Sequence, residues 1–277
     1  MPESRFPSDT GKAATLPQGS ASVQFLPLKP AIRSDVCTQP AAQDLHSPLM
    51  SLSTTTSRLR VWDLPTRLFH WLLAACTVAL VITAKVGGNA MEWHLRLGHV
   101  MLALLLFRVL WGLQGGYWSR FSTFIPSPAR LLRYLKGKGT PADHVGHNPL
   151  GALSVLAMLL VLALQVASGL MSDDEIAFAG SLVRFVSGNI VYDATVWHTG
   201  WGQWLVYTVV ALHLIAIAYY SWVRRESLVP AMLHGDKLQA PDGLPASRDG
   251  LLAWLPALCF AVSCGVMAYW VWTLATF

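Results

Sequence analysis

Five long apolar segments restrict what this chain can fold into. They lie near residues 66–88, 94–113, 149–171, 200–223 and 251–276. About 20 apolar residues suffice to cross a bilayer, where the backbone must satisfy its own hydrogen bonds as a helix or a closed barrel. The segments are continuously apolar without a period of two, which favours helices. Only 13% of the residues are charged, about half the usual share of a soluble domain. We therefore predict an all-α integral membrane four-helix bundle with a fifth transmembrane helix at the C-terminus.

The composition changes along the chain and indicates a domain organisation. Residues 1–57 are rich in Ser, Thr, Pro, Gln and Ala and contain no apolar run. They are not a signal peptide, and we interpret them as a disordered tail or a start-site artefact, with Met50 as a natural start. The membrane domain is expected over 58–236, a Pro- and Gly-containing cytoplasmic linker over 237–250, and the additional transmembrane helix over 251–277.

The four cysteines form no recognisable cofactor motif. No CxxC or CxxCH pattern is present among Cys37, Cys76, Cys259 and Cys264. The sequence therefore offers neither a thiolate metal site nor a covalent haem attachment, and any haem must be bound without a covalent link to the chain.

The charges of the connecting segments predict the orientation in the membrane. The 114–148 segment carries five basic residues and the single acid Asp143, whereas the 172–197 segment carries four acids and the single base Arg184. Further arginines precede the first span and follow the fourth. Basic residues accumulate on the cytoplasmic side. We expect the N-terminus, the 114–148 segment and the 224–250 segment to be cytoplasmic, and the 172–197 segment to face outward.

Five of the nine histidines lie within or at the rims of the predicted spans. They are His70, His94, His99, His198 and His213. An ionisable group at membrane depth is costly and indicates a functional site, although a single histidine is often a structural hydrogen-bonding group between helices. Neutral imidazole is a good metal ligand, and two imidazoles can hold a haem iron between them. A mostly apolar haem also suits the interior of a helix bundle.

A flat porphyrin beside a ligand helix requires a small residue one turn from the histidine. The sequence provides one for four of the five candidates, as the pairs His94/Gly98, His198/Gly202, His70/Ala74 and His99/Ala103. The test supports a haem site without selecting its members.

Depth in the membrane selects the ligand pairs better. The first helix has His70 near its cytoplasmic end, and the second has His94 at its outer end. The fourth has His198 at its outer end and His213 deeper, about 22 Å away along the helix. Groups at similar depth pair as His94 with His198 and His70 with His213, which predicts one outer and one inner haem b. His99 is the alternative to His94.

Three segments carry a recognisable pattern: RVWDLPTRLFHWLL, WHLRLGHVMLALLLFRVLWGLQG and GHNPLGA. Together with the helix of His198 and His213, they resemble the prokaryotic cytochrome b561 family. The resemblance covers about residues 60–236. It implies four helices, two non-covalent haems and the ligand pairs given above. It also implies that the second-helix ligand lies four residues before a glycine, which favours His94 over His99.

One departure from the family affects the fourth helix. The two histidines of that helix usually stand one residue closer together than His198 and His213. The assignment of His198 therefore depends on a π-bulge or local unwinding that restores the register.

Arginines near the cytoplasmic ends of the first two helices are candidates for contacts to the haem propionates. Arg67 and Arg108 qualify, because a guanidinium group suits a carboxylate. Simple anchoring at the membrane surface is the alternative for Arg67, and snorkelling for Arg108. Asn148 before Pro149 reads as a helix N-cap, and His147 is a weaker candidate for a quinone site.

These features predict a multi-pass protein of the bacterial inner membrane. We expect an electron-transfer subunit of an oxidoreductase complex, rather than a stand-alone enzyme, that connects the quinone pool with a redox partner. The partner, such as a hydrogenase iron–sulfur subunit or a c-type cytochrome, is expected at the outer acidic segment. The alternatives are a transporter or metal-handling protein, for which broken spans or intramembrane acids are typical, and a membrane scaffold.

Overall fold

A computed structural model describes residues 58–226, 228–238 and 243–276. The predicted tail over 1–57 lies outside the described residues. The elements in chain order are β1 Arg58–Arg60, α1 Leu64–Val86, α2 Ala90–Gln114, α3 Phe121–Phe124, α4 Pro128–Leu135, α5 Pro149–Leu170, α6 Gly188–Val196, α7 Gly202–Trp222, α8 Leu228–His234, β2 Asp236–Leu238 and α9 Leu251–Thr273.

Five helical segments are long and apolar enough to cross a membrane. They are Leu64–Val86, Ala90–Gln114, Ala142–Leu170, Gly188–Trp222 and Ala253–Thr273. Their outward side chains are largely apolar and exposed, as lipid contact requires. The predicted all-α membrane bundle with a fifth C-terminal helix is thereby confirmed, and the chain is a multi-pass membrane protein.

The core of the bundle lies where four spans meet. Cys76 of α1, Met101 of α2, Leu162 of α5 and Val206 of α7 are buried in one cluster, with Leu105. The fifth span, α9, packs against α2 on another side, where its small residues Ala257 and Cys264 contact Phe69, Phe107 and Trp111. α9 is therefore an addition to a complete four-helix core.

The fourth span differs from its prediction. It begins at Gly188 rather than near 200, and α6 continues into α7 through a π-helical turn over Trp197–Trp201. Polar residues such as Asn189 and Asp193 lower the apolarity of α6 without breaking the helix. Within the turn, Gly200 has a non-helical backbone conformation, with φ −103° and ψ −107°.

The start of the first span is fixed by a buried aspartate. Asp63 is fully buried and caps α1, accepting a hydrogen bond from the Thr66 amide at 2.8 Å. Its carboxylate also accepts from Trp111 Nε1 at 3.2 Å and from Ser119 Oγ at 3.0 Å. Gly116 approaches it so closely that a Cβ there would lie 2.2 Å from Asp63 Oδ2. Asp63 therefore joins α1, α2 and the segment after α2.

A short two-stranded sheet closes one end of the bundle. β1 pairs antiparallel with β2, with Leu59 opposite Lys237, although neither strand was predicted because each has only three residues. Asp249, just before α9, accepts from the Leu64 amide at 2.8 Å and forms ion pairs with Arg60 and Arg67. Asp249 thereby ties β1 and the start of α1 to the segment before α9.

The two ends of the bundle differ in charge. The basic end, near the start of α1, carries Arg58, Arg60, Arg120, Arg130, Arg133, Lys136, Lys138, Arg224, Arg225 and Lys237. The acidic end, beyond the C-terminus of α5, carries Asp173, Asp174, Glu175 and Asp193.

Candidate functional site: two histidine pairs inside the bundle

The structure brings together the two histidine pairs that depth predicted. The ring centres of His94 on α2 and His198 in the π-helical turn lie 6.0 Å apart, and those of His70 on α1 and His213 on α7 lie 6.4 Å apart. The first pair lies toward the acidic end and the second toward the basic end. Among the described residues, no group of three or more His, Cys, Asp or Glu side chains could hold a metal ion.

The spacing within each pair fits an iron held between two imidazoles. Two metal–imidazole bonds of about 2.0–2.1 Å, plus roughly 1.1 Å from each bonding nitrogen to its ring centre, separate two axial rings by about 6.3 Å. The observed 6.0 and 6.4 Å agree with this value. All four rings are half-buried, and direct imidazole–imidazole hydrogen bonds would bring the rings closer together.

Hydrogen bonds fix the tautomer of both rings in the pair at the acidic end. His94 Nδ1 lies 3.0 Å from the Leu80 carbonyl oxygen, and His198 Nδ1 lies 2.9 Å from the Gln165 carbonyl oxygen. A carbonyl only accepts, so each Nδ1 carries the hydrogen and each neutral ring leaves Nε2 free with its lone pair. Metal-binding histidines are typically held in this way.

A cavity of about 380 Å³ opens beside this pair. Its wall includes His94, Gly98, Met101, Leu162, Gly169 and His198. A Cβ on Gly98 would meet no atom within 4 Å, so the helix surface one turn from His94 is open as a flat ligand requires. The space at Gly202 is different, because a Cβ there would lie 2.0 Å from Gln165 Oε1. Gly202 therefore makes room for a protein side chain rather than for a cofactor.

The alternative ligand His99 has a different environment. Its Nδ1 donates to the Leu95 carbonyl at 2.8 Å, and its Nε2 accepts from Ser181 Oγ at 2.7 Å. Its ring also meets the edge of Trp272 of α9, with centres 5.1 Å apart. Both ring nitrogens are occupied, and the ring links α2 to the acidic end and to α9. A structural role accounts for His99.

The π-helical turn answers the register question of the fourth helix. With regular geometry, 15 residues separate His198 and His213 by about 60° around the helix axis. A π-bulge accommodates one extra residue, which changes that angle by about 100° and gives the relation of residues 14 apart in an α-helix. The turn Trp197–Trp201 includes His198 itself, so the bulge lies where the register requires it.

Near the pair at the basic end, several buried polar atoms have no hydrogen-bond partner among the residues that the structure describes. They are His70 Nδ1, His147 Nδ1, Arg67 Nε and Arg108 Nη1. Arg108 is only 4% exposed, and its guanidinium group lies over the ring of Phe121 at 4.8 Å. Buried donors without partners are rare in proteins, so these groups mark a place where a ligand with acceptor atoms fits.

His147 lies between this cluster and the surface of the basic end. Its ring contacts Trp62 and Phe124, with centres 4.7 and 5.0 Å away, and it is close enough to Arg108, His70 and His213 to interact electrostatically. Asn148, the next residue, caps α5 by accepting from the Gly151 amide at 2.7 Å, as predicted.

Backbone hydrogen bonds stabilise the negative charge of Asp174 at the acidic end. The pKa of the Asp174 carboxyl lies below its usual value because the backbone amides of Phe178, Ala177 and Ile176 donate to it. The loop that follows α5 therefore offers a fixed anionic surface beside the His94–His198 pair.

Comparison with known proteins identifies the family. A sequence profile of the prokaryotic cytochrome b561 family matches residues 61–235. The chain belongs to this family. It is thus a b-type cytochrome, and haem b and electron transfer follow from the membership. The matched region contains all four paired histidines and ends before α9.

Individual relatives carry similar descriptions. The chain is 25% identical over 215 residues to a Ni/Fe-hydrogenase B-type cytochrome subunit of Azotobacter chroococcum, covering 66% of this chain and 89% of that protein. It is 24% identical over 208 residues to the subunit of Cupriavidus necator (63% and 85%), and 22% over 209 residues to the hydrogenase 1 subunit of Escherichia coli (63% and 88%). No solved structure matches the chain.

Sequence reasoning missed two residues that support the site. Asp63 stands before Leu-Pro at the start of α1, a usual N-cap pattern, and could have been recognised. Gln165 is the one side-chain amide within the apolar run of α5, which is a weaker signal. The carbonyl groups of Leu80 and Gln165 have no sequence signal at all.

Proposed function

We propose that this cytochrome binds two haem b groups and transfers electrons between the quinone pool and a redox partner at the acidic end. The observation that carries the proposal is the presence of two separate histidine pairs with ring centres 6.0 and 6.4 Å apart. Bound between two imidazoles, haem b takes up and releases single electrons. The residues of the chain contribute axial ligation, burial and orientation.

His94 and His198 are the proposed axial ligands toward the acidic end. Their Nδ1 hydrogen bonds to the Leu80 and Gln165 carbonyls keep both Nε2 atoms free. The same hydrogen bonds make each Nε2 a stronger donor to iron. The cavity beside Gly98 offers an apolar, partly enclosed space next to these rings.

His70 and His213 are the proposed ligands toward the basic end, with Arg67 and Arg108 as propionate partners. Arg67 lies one turn before His70 on the same face of α1, and Arg108 is buried with one guanidinium nitrogen unpartnered. A propionate carboxylate would supply an acceptor for the one unpartnered nitrogen of each guanidinium group. His147 Nδ1, also unpartnered, is then available for a quinone carbonyl oxygen at the basic end.

The proposed orientation places the basic end, and with it the N-terminus, in the cytoplasm of a bacterial inner membrane, because basic segments accumulate there. The acidic end then faces outward and receives the redox partner. The relatives named above are hydrogenase cytochrome subunits, so the iron–sulfur subunit of a Ni/Fe hydrogenase is the proposed partner. A c-type cytochrome is the alternative.

Haem content and the visible spectrum test the proposal. Purified protein should contain two haems per chain and show a reduced α-band typical of b-type cytochromes. Quinol should reduce the haems, or the reduced protein should convert quinone to quinol. A single haem per chain, or two haems that survive simultaneous loss of His94 and His70, would reject the two-site arrangement. A protein with bound transition metal but no porphyrin would favour the metal-handling alternative.

The side of electron entry has a separate test. In stopped-flow experiments with oriented vesicles, a donor restricted to the acidic end should reduce the haems rapidly. Fast reduction only by a protein donor at the basic end would contradict the proposed position of the partner.

A further inference from the structure

The π-helical turn at His198 has a cost that a neighbouring helix offsets. In regular α-helix, the His198 carbonyl would accept from the Gly202 amide. Here that amide donates to the Trp197 carbonyl instead. The His198 carbonyl therefore lacks its usual helical partner within a span, where a backbone carbonyl needs another donor.

Gln165 of α5 supplies the missing partner. Its side-chain Nε2 donates to the His198 carbonyl oxygen at 2.8 Å. Its own backbone carbonyl accepts from His198 Nδ1 at 2.9 Å. One residue thus binds both the backbone and the imidazole of the same histidine, and it does so across a helix interface.

The surrounding residues are shaped for this contact. A Cβ on Gly202 would lie 2.0 Å from Gln165 Oε1 and 2.8 Å from Trp197 Nε1. The amide therefore fits only because position 202 has no side chain. A Cβ on Gly169, one turn after Gln165, would lie 2.6 Å from His198 Cε1. Two glycines on facing helices make room for the two halves of the contact.

We propose that Gln165 is a positioning residue that stabilises the π-helical turn and thereby holds His198 in place as an axial ligand of the haem at the acidic end. The inference rests on the proposed function, in which His198 binds iron. Without the side-chain donor, the turn can return to α-helical geometry, which rotates His198 by about 100° relative to His213.

The variant Gln165→Met tests the proposal, because methionine has a similar length but no donor. The chain offers a control in Gln114, an exposed glutamine at the end of α2, away from the turn. The measured quantities are the rate of haem transfer to excess apomyoglobin and the low-spin haem EPR spectrum of the full chain. Q165M should lose one of its two haems on the order of 10-fold faster than the wild type and change one of two EPR signals, whereas Q114M should change neither.

Deletion of Gly200 provides a second, independent test of the proposal. The deletion removes the extra residue, so an unbroken α-helix can present His198 and His213 with the same relative orientation, and the His198 carbonyl regains a helical partner. Both haems should be retained, and Q165M should have no effect in this background. Faster haem loss caused by Q165M in the deletion background would overturn the proposal, as would wild-type haem retention and EPR signals in Q165M alone.

The reference variant His198→Ala separates this inference from the function on which it rests. If H198A retains both haems, the proposed ligand assignment is wrong. If H198A loses one haem while Q165M behaves like the wild type, the ligand assignment stands and the positioning role of Gln165 is wrong.

Discussion

Gly169 and His198 are in such close contact that no larger residue fits at position 169. A methyl group there would lie 2.6 Å from Cε1 and 3.0 Å from Nδ1 of the imidazole. The contact holds the ring of His198 between α5 and the cavity, with its Nδ1 bound to the Gln165 carbonyl. The position of this ring is therefore determined by the backbone of α5 on two sides.

We expect Gly169→Ala to weaken haem binding at the acidic end. Overpacking of this kind costs about 1–3 kcal/mol, which corresponds to roughly 5- to 150-fold weaker binding. The measurement is haem retention after detergent washing, by pyridine haemochrome assay. Gly265→Ala is the matched control, since a Cβ there meets no atom within 4 Å. Equal haem retention in both variants would contradict the proposed role of the contact.

Single alanine variants of the paired histidines should each remove about one haem. H94A and H198A should lose the same haem, and H70A and H213A the other, so that EPR spectra fall into two groups. H99A should retain both haems, because the His99 nitrogens are occupied by Leu95 and Ser181. Loss of a haem in H99A with full retention in H94A would reassign the ligand on α2.

The sequence was sufficient to predict the bundle because long apolar segments permit few alternatives in lipid. It was also sufficient to pair the histidines, because helix direction and depth leave few choices. The early start of the fourth span was missed, since Asn189 and Asp193 lower the hydropathy of its first part, α6. The pairing of β1 with β2 was missed as well, because three-residue strands have no detectable pattern.

The local environment of the site could not be predicted with the same success. The spacing of 15 residues between His198 and His213 indicates a π-bulge only by comparison with the shorter spacing that is usual in the family. The role of Gln165 depends on a carbonyl group released by that bulge, and the role of Gly202 depends on Gln165. Such relations arise between helices that are distant in sequence, so they follow from packing and not from a local motif.

Arg108→Gln should lower the midpoint potential of the haem at the basic end. A nearby positive charge favours the reduced form of a haem, and its loss favours the oxidised form. At an effective dielectric constant of about 20, a unit charge roughly 10 Å away contributes about 1.7 kcal/mol, or about 70 mV for one electron. Redox titration followed at the α-band measures the change.

Arg133→Gln is the control for this substitution. Arg133 also lies at the basic end, but its side chain is 47% exposed and close to Asp143, so solvent screens its charge. A decrease of the same size in R133Q would show that the general charge of the basic end, and not a specific contact of Arg108, determines the potential.

Asp63→Ala should reduce the stability of the whole bundle, even though Asp63 touches neither histidine pair. The variant loses the N-cap of α1, which contributes about 0.5–2 kcal/mol, and leaves Ser119 Oγ and other buried donors without their carboxylate partner, at about 1–3 kcal/mol. We expect a total loss of about 2–4 kcal/mol, measured as a lower midpoint of thermal aggregation in detergent. Ser127→Ala, which removes an exposed N-cap from α4, should lower the midpoint much less. If both substitutions have the same small effect, the three connections of Asp63 to Thr66, Trp111 and Ser119 do not hold α1, α2 and the following segment together.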